Sequence, residues 1–183
     1  MKAFIFDTET TGLVKARVSP LTEQPEIIEF YGHIVDLDTG KTGKKLHKLF
    51  KPAGEITAEI SKITGIRPED VADAPPFAEG AAAICRTLES APCVIAHNFV
   101  FDRSMVDIEM ERLGKTVEWP RAFCSMELTM HIKRYRLNLN ALHTHLFDEP
   151  FAGAHRADAD VAALTRCCVE LRRRKIMAVK AVK

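Results

Sequence analysis

The apolar positions open with a short continuous run. Residues 2–7 read Lys-Ala-Phe-Ile-Phe-Asp, which predicts a strand covered on both faces. A Pro-containing loop follows Leu13. Residues 26–36 predict a second strand, closed by Asp38, Thr39 and Gly40. A third strand is expected over 46–50, before Pro52. The short connection makes the second and third strands a hairpin, so part of the sheet is antiparallel. The spacing then turns helical, first over 56–64 before Gly65, then over 77–88 after Pro75 and Pro76. Residues 93–96 predict a buried strand. Phe101, Met105, Ile108 and Arg112 fall on one helical stripe that ends at Gly114. A short strand near Phe123 and Cys124, helical pieces over 126–132 and 139–146, and a last helix over 157–174 complete the pattern. Strands come first and then alternate with helices, which predicts an α/β fold with helices packed on a mixed sheet.

Composition narrows this reading. The chain has 183 residues, 46% of them hydrophobic and 7% aromatic, enough for one domain with a mainly aliphatic core. We expect that domain over 1–175, with a basic tail over 176–183. A net charge of +1 argues against bulk coating of a polyanion, so any nucleic-acid contact should be local. The five cysteines form no CxxC pair and no zinc spacing. They read as reduced thiols, with Cys167 and Cys168 as core and rim of the last helix. No apolar run approaches the roughly 20 residues that span a bilayer, and no signal-peptide layout precedes the first strand. The expectation is a cytoplasmic protein without a membrane partner.

Three acidic elements carry the chemistry. In Phe6-Asp7-Thr8-Glu9-Thr10-Thr11-Gly12-Leu13, strand alternation points Asp7 and Glu9 to the same side. Two neighbouring carboxylates at the end of an apolar strand repel each other and resist desolvation. A divalent ion removes the conflict, and all-oxygen ligands suit Mg²⁺ or Mn²⁺. Alone, such a pair is more often a solvated strand end. Asp102 is expected in the first helical turn after the strand ending at Ala96, on the carboxyl side of the sheet, where open α/β sheets place ligands. Taken alone, complementing the helix dipole is the more ordinary role for it. Asp160 falls on the side of the last helix that carries Ala163 and Leu164, where a carboxylate needs a partner. His155, five positions earlier, is rotated by roughly 140° on a rigid helix. It should therefore sit in a loop or frayed first turn that folds back over the site. A loop histidine is usually just solvated, but the link to Asp160 favours a mobile general base. Arg156 and Asp158 read as surface residues.

Together these elements resemble the three motifs of the DnaQ-like, or DEDD, exonucleases. The Asp7–Leu13 run resembles the first motif, 98–102 the second, and His155 with Asp160 the third in its histidine subclass. Ile63-Thr64-Gly65-Ile66 and the stretch 124–128 extend the likeness, which covers about 2–171. The resemblance implies a ribonuclease H-like fold: a five-stranded mixed sheet with one antiparallel strand, flanked by helices. It also implies two divalent ions, Mg²⁺ or Mn²⁺, with Asp7 bridging both, Glu9 and Asp160 on the first, and Asp102 on the second. His155 would take a proton from the attacking water. Thr10, Thr11, Leu13, Thr64, Asn98 and Phe101 would contact the terminal nucleotide, although Leu13 and Phe101 read equally well as core and Asn98 as a loop tie. The implied activity is 3′→5′ removal of nucleoside 5′-monophosphates from a DNA 3′ end, single-stranded or frayed, with a DNA polymerase as a candidate partner in proofreading or repair. Lys133, Arg134 and Arg136 form a basic cluster that suits strand phosphates or a solvated face. An inactive nucleic-acid-binding module and an RNA-trimming exonuclease are the rival readings.

Overall fold

The computed structural model describes residues 1–16, 18–152 and 156–177. Its first strand, β1 (Lys2–Thr10), is the middle of a five-stranded sheet. β2 (Ile27–Asp36) and β3 (Thr42–Leu49) form the expected hairpin. After α1 (Ala58–Thr64) and α2 (Phe77–Ser90) come β4 (Val94–Ala96), α3 (Phe99–Arg112) and β5 (Ala122–Cys124). The short helices α4 (Ser125–Leu128) and α5 (Met130–Lys133) lead to α6 (Leu139–Phe147) and α7 (Ala157–Arg173).

The sheet order is β3-β2-β1-β4-β5. β2 runs antiparallel to both neighbours, while β1–β4 and β4–β5 are parallel. The mixed sheet with one antiparallel strand is therefore as expected.

Alternation along β1 builds two cores. Phe4 and Phe6 point to one face, against Phe77, Ile84 and Leu88 of α2 and Met105 and Met110 of α3. Ala3 and Ile5 point to the other, against Leu142 of α6 and Val161, Leu164 and Leu171 of α7. The result is three layers, helix–sheet–helix. The odd-numbered residues of β1, Asp7 and Glu9 among them, belong to the α7 face.

Several boundaries differ from those the sequence pattern predicts, each for a packing reason. β1 continues past Asp7 because β2 keeps pairing with it as far as Thr10 opposite Ile27. β3 starts at Thr42, not near Leu46, because its lysine-rich first half forms an exposed sheet edge. Lysines at an edge discourage pairing with other chains, and they also hide the strand from a search for apolar runs. The buried stripe of α3 is Phe99, Asp102, Met105, Val106, Glu109 and Met110. Phe101 and Ile108 lie on its flank instead. The stripe includes two carboxylates, which hydrophobicity alone places outside. Cys168 is buried as completely as Cys167, so neither is at a rim. Met177 also returns to the core beside α7. Residues 178–183, the remainder of the expected tail, lie outside the described residues. No helix among the described residues is long and apolar enough to cross a membrane.

Candidate active site

β1 outruns β4. Phe4 and Ile5 pair with Val94 and Ile95, and β4 ends at Ala96. The amide of Phe4 donates to the carbonyl of Cys93, so even-numbered amides of β1 face β4. At Thr8 no β4 residue remains to accept. Asp102, in the first turn of α3, takes that place. Its Oδ1 accepts from the Thr8 amide at 3.1 Å and from the Thr8 hydroxyl at 2.8 Å. α3 can begin there because Asn98 turns the chain with φ +69°, a conformation Asn tolerates better than most residues.

On the opposite face, α7 brings Asp160 to the same strand end. Oxygen atoms of Asp7, Glu9 and Asp160 lie within 4.8 Å of one another. Asp102 and Asp160 thus arrive from opposite helical layers and flank Asp7 at the carboxyl end of β1. Glu9 and Asp102 are buried, while Asp7 and Asp160 remain partly open to solvent.

The electrostatics follow from this crowding. Burial, then the charges of Asp102, Glu9 and Asp160, push the Asp7 carboxyl well above the usual carboxylate range. Burial and the charges of Asp160 and Glu29 push Glu9 up to about 8. Burial alone pushes Asp102 up to about 7, against the two Thr8 donors that favour its charged form. Groups this reluctant to ionise side by side fit a multivalent cation, which would supply the missing positive charge. Three oxygen donors within one small volume match the hard ligands of Mg²⁺ or Mn²⁺.

The other sequence-derived candidates are distributed around this cluster. The Thr10 hydroxyl donates to the Gly12 carbonyl, and the Thr11 hydroxyl accepts from the Glu26 amide. Both therefore shape the turn that presents Leu13, which is 81% exposed. Thr64 is buried, its hydroxyl donating to the Ile60 carbonyl and accepting from the Ile66 amide. Asn98 is exposed and Phe101 half-buried. Val100, 66% exposed in the first turn of α3, adds apolar surface near Asp102. His155 lies outside the described residues. Of the basic cluster, Arg136 pairs with Glu127 at 2.7 Å.

Two features were not evident from the sequence. Arg156 is exposed, as expected, but it is not electrostatically remote. Its stem passes close to Gly65, where a Cβ atom would lie 3.4 Å from Arg156 Cδ. Its charge also favours ionised Glu9. Sequence spacing gives no hint of this, because α1 and α7 are far apart in the chain. His97 is the second. Its Nε2 faces the Leu137 carbonyl at 3.1 Å and must donate, so its Nδ1 accepts from the Ser125 hydroxyl at 2.7 Å. Burial pushes it down to about 4. A neutral imidazole therefore ties the end of β4 to the segment that carries the basic cluster.

Residues 4–167 match the exonuclease family RNase_T. The chain belongs to this exonuclease family. It is 32% identical over 133 residues to the DNA polymerase III epsilon subunit of Buchnera aphidicola subsp. Schizaphis graminum, covering 73% of this chain and 55% of that relative. It thus spans about half the length of the curated relatives it matches first. Among solved structures, the nuclease domain of 3′hExo, a DEDDh family member bound to rAMP, superposes with a TM-score of 0.79. That match has 13% identity and covers 100% of this chain and 96% of the other. Exonuclease X in complex with 5′ overhanging duplex DNA gives a TM-score of 0.70 at 21% identity, covering 98% and 95%. The family and the ribonuclease H-like fold expected from the motifs are thereby borne out.

Proposed function

We propose that this protein is a metal-dependent 3′→5′ exodeoxyribonuclease that releases nucleoside 5′-monophosphates from single-stranded or frayed DNA 3′ ends. The observation that carries the reading is the convergence of Asp7, Glu9 and Asp160 within 4.8 Å, with Asp102 braced beside them. Two divalent ions in such a site would bind the phosphodiester, activate water and stabilise the leaving 3′ oxygen. Asp7, between the two helical layers, suits a bridging ligand. Glu9 and Asp160 suit one ion and Asp102 the other. His155 is assigned as general base, because an imidazole with a pKa near 6.5 can accept the proton of water at neutral pH. Leu13, Val100 and Phe101 offer apolar surface for an unpaired terminal base, while Thr10 and Thr11 fix the Leu13 turn.

The preference for DNA is supported by the epsilon-subunit relatives, whose sequence likeness exceeds that of the rAMP-bound neighbour. The same relatives support a DNA polymerase as partner. Digestion of DNA and RNA strands labelled in their 3′-terminal nucleotide, with Mg²⁺, tests the reading. Mononucleotides should appear from the first time point, and DNA should be cut faster than RNA. Cleavage of a circular single strand, or inertness of every linear substrate, would refute it.

A further inference from the structure

The row of acids on β1 continues onto β2. Asp7 lies opposite Tyr31, and Glu9 lies opposite Glu29. Directly opposed residues of an antiparallel pair project to the same face, so Glu29 stands beside Glu9. Its side chain is buried. Oε1 is 2.7 Å from Nε2 of His47 on β3, and the Tyr31 ring packs edgewise on that imidazole at 5.3 Å. Oε2 is equally buried and has no hydrogen-bond partner among the described residues.

A fold-only account of Glu29 is poor. A buried acceptor without a donor costs about 1–3 kcal/mol, and more when charged. The Glu29 charge also opposes ionisation of both Asp7 and Glu9. A glutamine would accept the same proton from His47 and remove the repulsion. The second oxygen must therefore have a use that an amide serves less well. Direct ligation is not that use, because the three-residue cluster comprises Asp7, Glu9 and Asp160 without Glu29. Mg²⁺ keeps several of its waters when bound by carboxylates. Those waters need acceptors, and groups that orient a metal's ligands from outside contribute to its affinity.

We propose that Glu29 is a positioning residue of the cation site: Oε2 accepts a hydrogen bond from a water carried by the ion at Asp7, Glu9 and Asp160, while His47 fixes Oε1. The assignment rests on the metal-dependent reading above. It makes the site a device that extends across three strands, from β1 through Glu29 on β2 to His47 on β3.

Calorimetric titration of Mn²⁺ into the full chain, beside Glu29→Gln and Glu29→Asp, tests it without using activity. Metal-free melting temperatures are measured in parallel. The glutamine variant should fold at least as stably as wild type without metal and bind Mn²⁺ about 10–100-fold more weakly. The aspartate variant keeps the charge but withdraws the oxygen, and should also bind weakly. Wild-type affinity in Glu29→Gln overturns the proposal. Wild-type affinity in Glu29→Asp alone leaves only a field effect and overturns the hydrogen-bond assignment. A glutamine variant that fails to fold makes Glu29 structural and overturns it too. Absence of Mn²⁺ binding by the wild type refutes instead the metal-dependent reading on which it rests.

Discussion

Thr8 donates both its backbone amide and its hydroxyl to one oxygen of Asp102, at 3.1 and 2.8 Å. One residue of the central strand thereby fixes the acid that the α3 layer delivers. Thr8 is on the α3 face, and its neighbours Asp7 and Glu9 are on the α7 face. The strand end thus links both helical layers through consecutive side chains.

Thr8→Val keeps the shape and the amide bond but removes the hydroxyl donor. A hydrogen bond to a charged group contributes about 1.5–3 kcal/mol. Burial already pushes Asp102 up to about 7, and loss of the donor pushes it higher. Activity at neutral pH should fall by about tenfold or more, and the acid limb of the pH–rate profile should move to higher pH. An unmoved limb would show that the hydroxyl does not hold Asp102 in its charged form.

Stability without metal should depend on pH with a definite sign. Glu9 rises from 4.5 to about 8 on folding, so the folded state holds a proton that the unfolded chain releases. Its contribution is fully present below the unfolded pKa and is lost as pH climbs towards 8. Asp7 and Asp102 act in the same direction. His33, His97 and His145 are pushed below 6.5, and they oppose the trend only below that pH. The clean window is therefore pH 6.5 to 8. The melting temperature with chelator should drop across it, and Glu9→Gln should flatten the slope. A melting temperature that rises across that window would contradict the assigned shifts.

Divalent metal should reverse this penalty. A ligand that binds only the folded state at 100 times its Kd adds about 2.7 kcal/mol, or roughly 5–10 °C for a domain of this size. Mg²⁺ or Mn²⁺ should produce such a rise, more at about pH 8 than at about pH 6, and a chelator should abolish both the rise and the activity. Full nuclease activity in excess chelator would remove the two-ion chemistry altogether.

The motif acids were legible in the sequence because period-2 alternation settles their side on a strand without tertiary knowledge. Asp7 and Glu9 share a face as alternation requires, and Asp102 sits in the first turn of its helix. Residues whose roles depend on distant elements were not legible. Glu29 reads as one polar position in an apolar strand, and only the register with β1 sets it opposite Glu9. Arg156 reads as solvated, and only the passage of α7 over Gly65 brings its charge to Glu9. The α3 stripe was misplaced for the same reason. Asp102 and Glu109 are buried because Thr8 and the Ile27 amide offer them donors, and hydrophobicity cannot anticipate donors from other strands.

Two variants distinguish the proposed base from the proposed metal ligands. His155→Ala should lower kcat by a factor on the order of 10²–10⁴, with Mn²⁺ affinity retained because the four carboxylates remain. Asp7→Ala removes a ligand common to the whole cluster, so affinity and activity should fall together. It also removes the carboxyl that burial and the charges of Asp102, Glu9 and Asp160 push well above its usual range, and the metal-free protein should gain stability at about pH 8 as its activity is lost. His155→Ala leaves that crowding untouched and should show no such gain. Metal titration, melting curves and single-turnover cleavage of the two variants give three independent readouts. Wild-type cleavage by His155→Ala at saturating metal would reduce the histidine to a bystander. Loss of metal binding equal to that of Asp7→Ala would make it a ligand. The five-residue separation from Asp160 excludes a shared face on a rigid helix, and for that reason proton transfer, not ligation, is the expected outcome.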